Sequence, residues 1–195
     1  MRRAGIIVAI IAIVVIAYVG SAIWSVNSLL LAVRAGDGPA IVGQTDVPRL
    51  RNMLVAQIVD AYLDRIGGKH QLERLAVAAY GPTVADALVG KILDEGLARL
   101  LREGVVQDPA KPSARVALAP LGALDPGEFF ELVSRIRPFK LIEFDLRITP
   151  SADPQVYTAA RFRFEGTRWR LSGLTLPRAI AADIAAMIVE PARHS

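Results

Sequence analysis

An uncharged run at the amino terminus limits what this chain can fold into more than any other feature of its sequence. Residues 4–24 are 21 uncharged and mostly large apolar residues. A helix rises about 1.5 Å per residue, so this run can cross a hydrocarbon core of about 30 Å. Arg2 and Arg3 precede it, and such charges favour the cytoplasmic side. We therefore predict a membrane anchor at 1–24, with the amino terminus inside and the rest of the chain outside.

A cleaved secretory signal is the alternative interpretation of the same run. Its apolar stretch has a suitable length, and small residues at 20–22 offer a cleavage point near Ala22. Beyond that point, apolar residues continue at helical spacing at Ile23, Val26, Leu30 and Val33. This continuation favours a retained helix that leaves the membrane near Trp24 and enters the following domain. We expect Gly36 to end the helix and Asp37 to cap the next segment.

The composition of the remaining chain, about 170 residues, fits one globular domain with its own core. Without Arg2 and Arg3 it has 21 basic against 19 acidic residues, which is weak evidence for nucleic-acid binding. Cysteine is absent, so disulfides, thiolate metal sites and thiol nucleophiles are excluded. The two histidines, His70 and His194, lie far apart in sequence. We expect no metal and no other cofactor.

Helical spacing predicts three helices between the anchor and Gly104. The first is capped by Thr45 or Asp46, has Pro48 in its first turn and ends at 67–68. Its apolar positions are Leu50, Leu54, Ile58, Ala61 and Ile66. A shorter helix follows at 69–80. The third is predicted to begin at Thr83 as its cap, with one face formed by Val84, Leu88, Ile92 and Leu100.

Residues 105–126 contain four prolines and little helical spacing. This composition is typical of a loop, in which we expect one short strand at 115–118. Asp125, followed by Pro126, is predicted to cap a short helix. The inward side chains of that helix are expected to be Phe129, Val133 and Ile136.

The region from 139 to 176 alternates between apolar and polar residues, as antiparallel strands buried on one face do. The first strand has its apolar face at Ile142, Phe144, Leu146 and Ile148. The second has it at Val156, Thr158, Ala160, Phe162 and Phe164, and the third at Trp169 and Leu171. We expect a bulge near Gly173. Pro177 is predicted to begin a terminal helix with an apolar side at Ile180, Ile184, Met187 and Ile188.

A two-residue turn at Gly166 and Thr167 fixes the register of the last two strands, because a type II′ hairpin requires glycine at its first position. Phe164 then faces Trp169 on the buried side. On the other side Arg163 lies opposite Arg170, a like-charge pair that destabilises the sheet unless an anion intervenes.

The anion has two possible sources, one inside the chain and one outside it. Glu143 or Glu165 could supply it from within. A phosphate, a phospholipid headgroup or an acidic partner could supply it from outside. A position near a membrane favours the phospholipid headgroup. The possible anion-binding residues are Arg163, Arg170, Arg161 and Arg168.

Two carboxylates, Glu143 and Asp145, share this polar face about 7 Å apart, a spacing that could serve acid and base roles. Five arginines lie on the same face, namely Arg147, Arg161, Arg163, Arg168 and Arg170. Cross-strand ion pairs are therefore the simpler interpretation. No serine has a histidine in a sensible pairing. We assign no catalytic residue and predict that the protein is not an enzyme.

Four pieces of sequence carry a family resemblance: "WS" at 24–25, "LLLAVRAGD" at 29–37, "DVPRLRNML" at 46–54 and "RWRLSGLTLP" at 168–177. They resemble a family of bacterial envelope proteins, domain of unknown function 2939 (DUF2939), over residues 22–177. Ile23 and Val47 depart from its pattern, which has more aromatic residues there. The resemblance implies a membrane-tethered α+β domain and assigns no activity.

The predicted fold is α+β, with helices packed on a C-terminal antiparallel β-meander after the transmembrane helix. The anchor covers 1–24, the α+β domain 25–177, and a C-terminal helix and tail 178–195. The order of elements is also similar to cystatin-like and nuclear-transport-factor-2-like (NTF2-like) folds, in which a bent sheet wraps a long helix. This similarity is one of fold alone.

These observations predict a single-pass protein of the bacterial inner membrane with a binding or structural domain in the periplasm. Its expected partners are the membrane and an unidentified lipid or protein, without nucleic acid. The alternative is a module that binds a lipid or a small anionic molecule in an apolar pocket between sheet and helices.

Overall fold

A computed structural model of the chain describes residues 2–66, 71–107, 115–151, 153 and 155–189. Helices come first: α1 (Arg2–Ala35), α2 (Gly38–Gly43), α3 (Val47–Ile66) and α4 (Gln71–Glu103). A small hairpin follows, β1 (Val105–Gln107) and β2 (Arg115–Ala117), then α5 (Phe129–Arg135). The main sheet consists of β3 (Ile136–Lys140), β4 (Glu143–Arg147), β5 (Ala159–Glu165) and β6 (Arg168–Thr175), before α6 (Arg178–Val189). The predicted α+β class is confirmed.

Helix α1 runs without a break for 34 residues. In its first half the apolar side chains Ile7, Val14 and Ile16 are each more than half exposed. From Ala22 onward one face is buried, at Ala22, Val26, Leu29, Leu30 and Val33. The prediction that the apolar helix continues into the domain is therefore confirmed.

Gly36 ends α1 as predicted. Its φ of +69° is a left-handed conformation that glycine adopts without steric cost. The N–H groups of Gly36 and Asp37 donate to the carbonyls of Val33 and Ala32, which closes the helix end. The Asp37 carboxylate accepts from the Ala40 N–H at 3.0 Å and so caps α2.

Helix α3 begins with the second of its two predicted caps. The Asp46 carboxylate accepts from the Arg49 N–H at 3.2 Å, whereas Thr45 pairs with Leu171 at the edge of β6. The predicted core positions of α3 are buried at Leu50, Leu54 and Ile58. Its predicted end at 67–68 lies outside the described residues.

Helix α4 is one helix of 33 residues through Pro82, so the predicted break with Thr83 as a cap is wrong. The predicted face is right in part, since Leu100 is buried and Ile92 is half-buried against the core, but Val84 is exposed. The other buried positions are Ala85, Val89, Leu93, Leu97 and Leu101. The structure does not describe the side chain of Leu88. Proline removes only one backbone hydrogen bond, and burial of this long apolar face against the rest of the core outweighs that local cost.

The region predicted as a proline-rich loop holds more regular structure than expected. β2 is the strand predicted at 115–118, and it pairs antiparallel with β1, which the sequence does not predict. The predicted cap of α5 is wrong, because Asp125 accepts from the Gly127 N–H in a turn before the helix and Glu128 occupies the cap position.

The predicted inward face of α5 is wrong as well. Leu132 is its buried residue, Val133 is exposed and Ile136 already belongs to β3. The side chain of Phe129 is not among those that the structure describes. Because the helix starts three residues later than a cap at Asp125 would allow, a different face meets the core.

The main sheet is an antiparallel meander with the order β3-β4-β5-β6. The predicted register is confirmed, since Phe164 pairs with Trp169 and Arg163 with Arg170. Gly166 has a φ of +62°, as the first position of a type II′ turn requires. The predicted bulge is present, because Arg161 pairs with Gly173 and Phe162 with Leu171, which leaves Ser172 as the extra residue. The sequence does not predict β3.

The outer edge of β6 is covered by the residues between α2 and α3. The Asp46 N–H donates to the Leu171 carbonyl at 2.7 Å, and the Leu171 N–H donates to the Gln44 carbonyl at 2.9 Å. The sheet packs against α1 and α3 through β6. Helix α6 starts directly after Pro177, as predicted, and buries Ala181, Ile184 and Ala185. The side chains of Met187 and Ile188 are not described.

Candidate functional site

The N-terminal half of α1 is the first candidate for a functional element. Within the described residues α1 is the one helix long and apolar enough to cross a membrane. Its length and composition suit either a membrane span or a signal sequence.

Tyr18 and Ser21 join α1 to the sheet. The Tyr18 hydroxyl donates to the Leu141 carbonyl, and the Tyr18 ring centroid lies 5.1 Å from that of Trp169. The Trp169 indole N–H donates to Ser21 Oγ at 3.1 Å. Contact with the domain thus begins six residues before Trp24. Sequence reasoning missed this junction, although Tyr18 and Ser21 are the only hydroxyl side chains in the uncharged run.

An aromatic cluster on the buried face of the sheet receives Tyr18. The rings of Phe144 and Phe162 stack with centroids 5.1 Å apart, and Phe144 lies 4.9 Å from Trp169. Phe164 lies 5.5 Å from Tyr18. Such ring pairs stabilise a fold beyond the area that they bury.

The polar face of the sheet carries two cross-strand ion pairs. β4 and β5 pair Glu143 with Arg163 and Asp145 with Arg161. Asp145 accepts two hydrogen bonds from Arg161, at 2.7 and 3.0 Å, and Glu143 accepts from Arg163 at 2.8 Å. Hydrogen bonding to Asp145 raises the pKa of Arg161 above its ordinary value. The ion pairs predicted as the simpler interpretation are therefore present.

An anion from within the chain accompanies each arginine of the like-charge pair. Glu143, which is 8% exposed, bonds Arg163, and a Glu165 oxygen lies 4.0 Å from Arg170. Arg168 is exposed at the start of β6. Binding of an external anion by Arg161, Arg163, Arg168 and Arg170 stays a prediction.

An apolar groove of about 570 Å³ runs along α1. It lies between that helix and the segment 126–132, where Pro126 and Leu132 form the opposite wall. Asn27 is at one end of the groove, and its Oδ1 atom is buried without a hydrogen-bond partner. The sequence predicted an apolar pocket between sheet and helices, whereas this groove lies between two helical segments.

A second cavity of about 540 Å³ lies where α3 and α6 approach the end of β6. Its lining is partly polar and includes Asp60, Asp64, Arg178 and Tyr157. Burial raises the pKa of Tyr157, and the nearby Asp145 carboxylate adds to the rise. Among the described side chains no group of three or more histidine, cysteine or acidic residues could hold a metal ion. His70 and His194 lie outside the described residues.

The chain matches the model of a family described as a protein of unknown function (DUF2939) over residues 11–100. The match covers most of α1, then α2, α3 and most of α4, and it confirms the resemblance there. The quoted motif at 168–177 lies outside the matched residues. No curated protein and no solved structure matches the chain, so the comparison with cystatin-like and NTF2-like folds stays a prediction.

Proposed function

We propose that this chain, which matches the DUF2939 family, is a single-pass protein of the bacterial inner membrane. Its amino terminus lies in the cytoplasm and its α+β domain in the periplasm. The domain has a binding or structural role and catalyses no reaction.

The observation that carries this proposal is the double role of α1. The same helix has an exposed apolar half and a half that supplies Val26, Leu29 and Val33 to the core. An exposed helix of large apolar side chains has no favourable place in water. A helix without a hinge between the two halves places the domain directly at the bilayer surface.

Retention of the anchor is supported by the contacts on either side of the possible cleavage point. Cleavage near Ala22 removes Tyr18 and Ser21, and with them the hydrogen bonds to Leu141 and Trp169. A secretory signal has no need of such contacts with the mature domain. Orientation is supported by Arg2 and Arg3, which precede the apolar run.

The non-enzymatic part of the proposal is supported by the state of the two carboxylates. Glu143 and Asp145 each accept hydrogen bonds from the arginine directly opposite. A carboxylate held in this way neutralises its partner and is a poor general base.

The test is the intact mass of the full-length chain, extracted gently from its own membranes and measured by native mass spectrometry. A full-length mass is expected, and protease added to intact spheroplasts should digest the domain from outside. A chain about 22 residues short, as cleavage by a signal peptidase leaves, contradicts the anchor. Digestion only after lysis contradicts the orientation.

A second candidate function, binding of a lipid acyl chain, is favoured by the groove along α1. Val15, Ile16 and Val19 line the groove and belong to the apolar run, so the groove opens towards the bilayer. A Cβ atom added at Gly20, which also lines it, meets nothing within 4 Å. Gly20→Trp should therefore fill the groove and abolish a lipid adduct in the native mass spectrum, whereas Gly38→Trp, also open but outside the groove, should keep it.

A further inference from the structure

We propose that one end of the sheet rests in the headgroup layer of an anionic bilayer, so that the domain binds the membrane through a surface of its own. This surface, the turn end, consists of residues 140–143 and 163–170. It holds the β3–β4 turn at Leu141 and Ile142 and the β5–β6 turn at Gly166 and Thr167. The inference rests on the proposed anchor.

The turn end points along α1 towards the membrane. In an antiparallel meander the β3–β4 and β5–β6 turns lie at the same end of the sheet. Tyr18 contacts this end through Leu141, Phe164 and Trp169. The described residues of the connection between β4 and β5, at 148–151, 153 and 155–158, lie at the opposite end. Residues of α1 before Tyr18 therefore extend beyond the turn end, with their apolar side chains exposed.

The rise of the helix places the turn end at the bilayer boundary. From Ala4 to Tyr18 there are 15 residues, which span only about 22 Å. A hydrocarbon core of about 30 Å requires the helix to continue to roughly Trp24, about 9 Å past Tyr18. Because the sheet meets α1 at Tyr18, the turn end overlaps this last part of the crossing. The exposed tip of the turn end thus lies in the outer part of the hydrocarbon core, directly beneath the headgroups, and the basic side chains around the tip extend up into the headgroup layer.

The side chains of the turn end suit that depth. At the tip of the β3–β4 turn Leu141 is 92% exposed, and the neighbouring Ile142 is 41% exposed. The segments 140–143 and 163–170 carry four basic residues, Lys140, Arg163, Arg168 and Arg170, against two acidic ones, Glu143 and Glu165. An apolar tip within a basic rim matches acyl chains beneath anionic headgroups, and long basic side chains can extend upward to the phosphates.

The absence of cysteine allows a direct test with single-cysteine variants. We would label Leu141→Cys with an environment-sensitive fluorophore in the full-length chain, reconstituted in nanodiscs of phosphatidylcholine and phosphatidylglycerol. Gln155→Cys is the matched control, because it is also exposed but lies at the opposite end of the sheet. At position 141 we expect blue-shifted emission and several-fold weaker quenching by aqueous iodide than at position 155.

The contribution of the basic side chains around the tip is tested by the emission shift at position 141. Replacing Lys140 and Arg168 by glutamine should reduce the blue shift at position 141 in anionic nanodiscs and leave it unchanged in neutral ones. Arg65→Gln, an exposed arginine at the end of α3, should change neither. A shift independent of phosphatidylglycerol overturns the anionic part of the inference.

Equal iodide quenching at positions 141 and 155, with the intact chain mass present in the nanodisc, overturns the inference and leaves the proposed anchor standing. A chain that has lost its first residues and separates from the lipid contradicts the anchor and the inference together. Intact mass and co-elution with lipid distinguish these two results.

Discussion

At the scale of single residues, Glu143 holds the polar face of the sheet together. It accepts a hydrogen bond from Arg163 at 2.8 Å, and Arg163 lies directly opposite Arg170. Glu143→Gln removes the negative charge but keeps the size of the side chain. Arg163 then loses its buried anionic partner, and its repulsion with Arg170 is no longer offset. We expect the free energy of unfolding to fall by about 1–3 kcal/mol, measured by denaturant titration in detergent.

Glu165→Gln is the control for this prediction. Glu165 lies 4.0 Å from Arg170 and 3.3 Å from Arg49, and its side chain is 30% exposed. Solvent screens these pairs, so we expect a loss of less than about 1 kcal/mol. A larger loss for Glu165→Gln than for Glu143→Gln would show that burial does not govern the stability of this face.

Gln57 acts in place of a neighbouring strand at the edge of β6. Its side-chain amide donates to the Leu174 carbonyl at 2.9 Å and accepts from the Leu176 N–H at 2.9 Å. Gln57→Met keeps the side-chain length and loses both hydrogen bonds, which should cost about 1–3 kcal/mol of unfolding free energy. Amide exchange at Leu176 should accelerate. Gln155→Met is the control and should leave the exchange of the Leu176 amide unchanged. The role of Gln57 is refuted if Gln57→Met does not accelerate this exchange, or if Gln155→Met accelerates it equally.

At the scale of elements, local patterns predicted the faces and register of β4, β5 and β6 better than they predicted the boundaries of the helices, although they did not predict β1 and β3. Alternation in 142–148 fixes the face of β4, and the turn at Gly166 fixes the register of β5 and β6, so the sequence alone predicted cross-strand ion pairs on the polar face but not which residues pair. Helix α4 illustrates the opposite case, because Pro82 and Thr83 are strong local signals for a break. Its packing against α3 decides the outcome, and such long-range contacts leave no local signal.

The packing of α3 against α4 gives a prediction for two glycines. A Cβ atom added at Gly90 meets the Arg51 guanidinium at 2.8 Å, and this guanidinium donates to Asp86 at 2.7 Å. Gly96 has only one neighbour, at 3.9 Å. Alanine favours a helix over glycine by about 1 kcal/mol. Gly96→Ala should therefore stabilise the protein in thermal denaturation, whereas Gly90→Ala should gain nothing because it displaces Arg51 from Asp86.

Arg51→Ala provides the control for the two glycine substitutions, Gly90→Ala and Gly96→Ala. In an Arg51→Ala background Gly90→Ala should stabilise the helix as Gly96→Ala does, because the obstructing guanidinium is gone. If Gly90→Ala already stabilises the unaltered protein to the same degree as Gly96→Ala, the tight α3–α4 contact at Arg51 is wrong.

At the scale of the whole molecule, the least predictable feature is how far the domain reaches along the apolar helix. The hydrogen bond between Ser21 and Trp169 joins residues 148 positions apart. Hydropathy alone ends the anchor at Trp24, since it measures only transfer into lipid. The same limit applies to the groove, whose wall at Pro126 and Leu132 meets α1 only through the tertiary fold.

Two truncations separate the tether from the domain. Removing residues 1–16 leaves Tyr18, Ser21 and Ala22 in place, whereas removing residues 1–22 eliminates all three. The longer truncation should lower the unfolding free energy by about 2–3 kcal/mol, because it breaks two ring contacts and the hydrogen bond to Trp169. The measurement is a urea titration followed by tryptophan fluorescence.

Trp169 can report this difference alone. It is 4% exposed, and the other tryptophan, Trp24, is 77% exposed, so Trp24→Phe removes a solvent signal at little cost. In that background the emission of Trp169 should shift to the red after removal of residues 1–22 and stay unchanged after removal of residues 1–16. Equal urea midpoints and equal emission for both truncations would mean that the domain begins at Ile23. The helix before that residue would then be a tether without a structural role, and the sheet would have no fixed distance from the membrane.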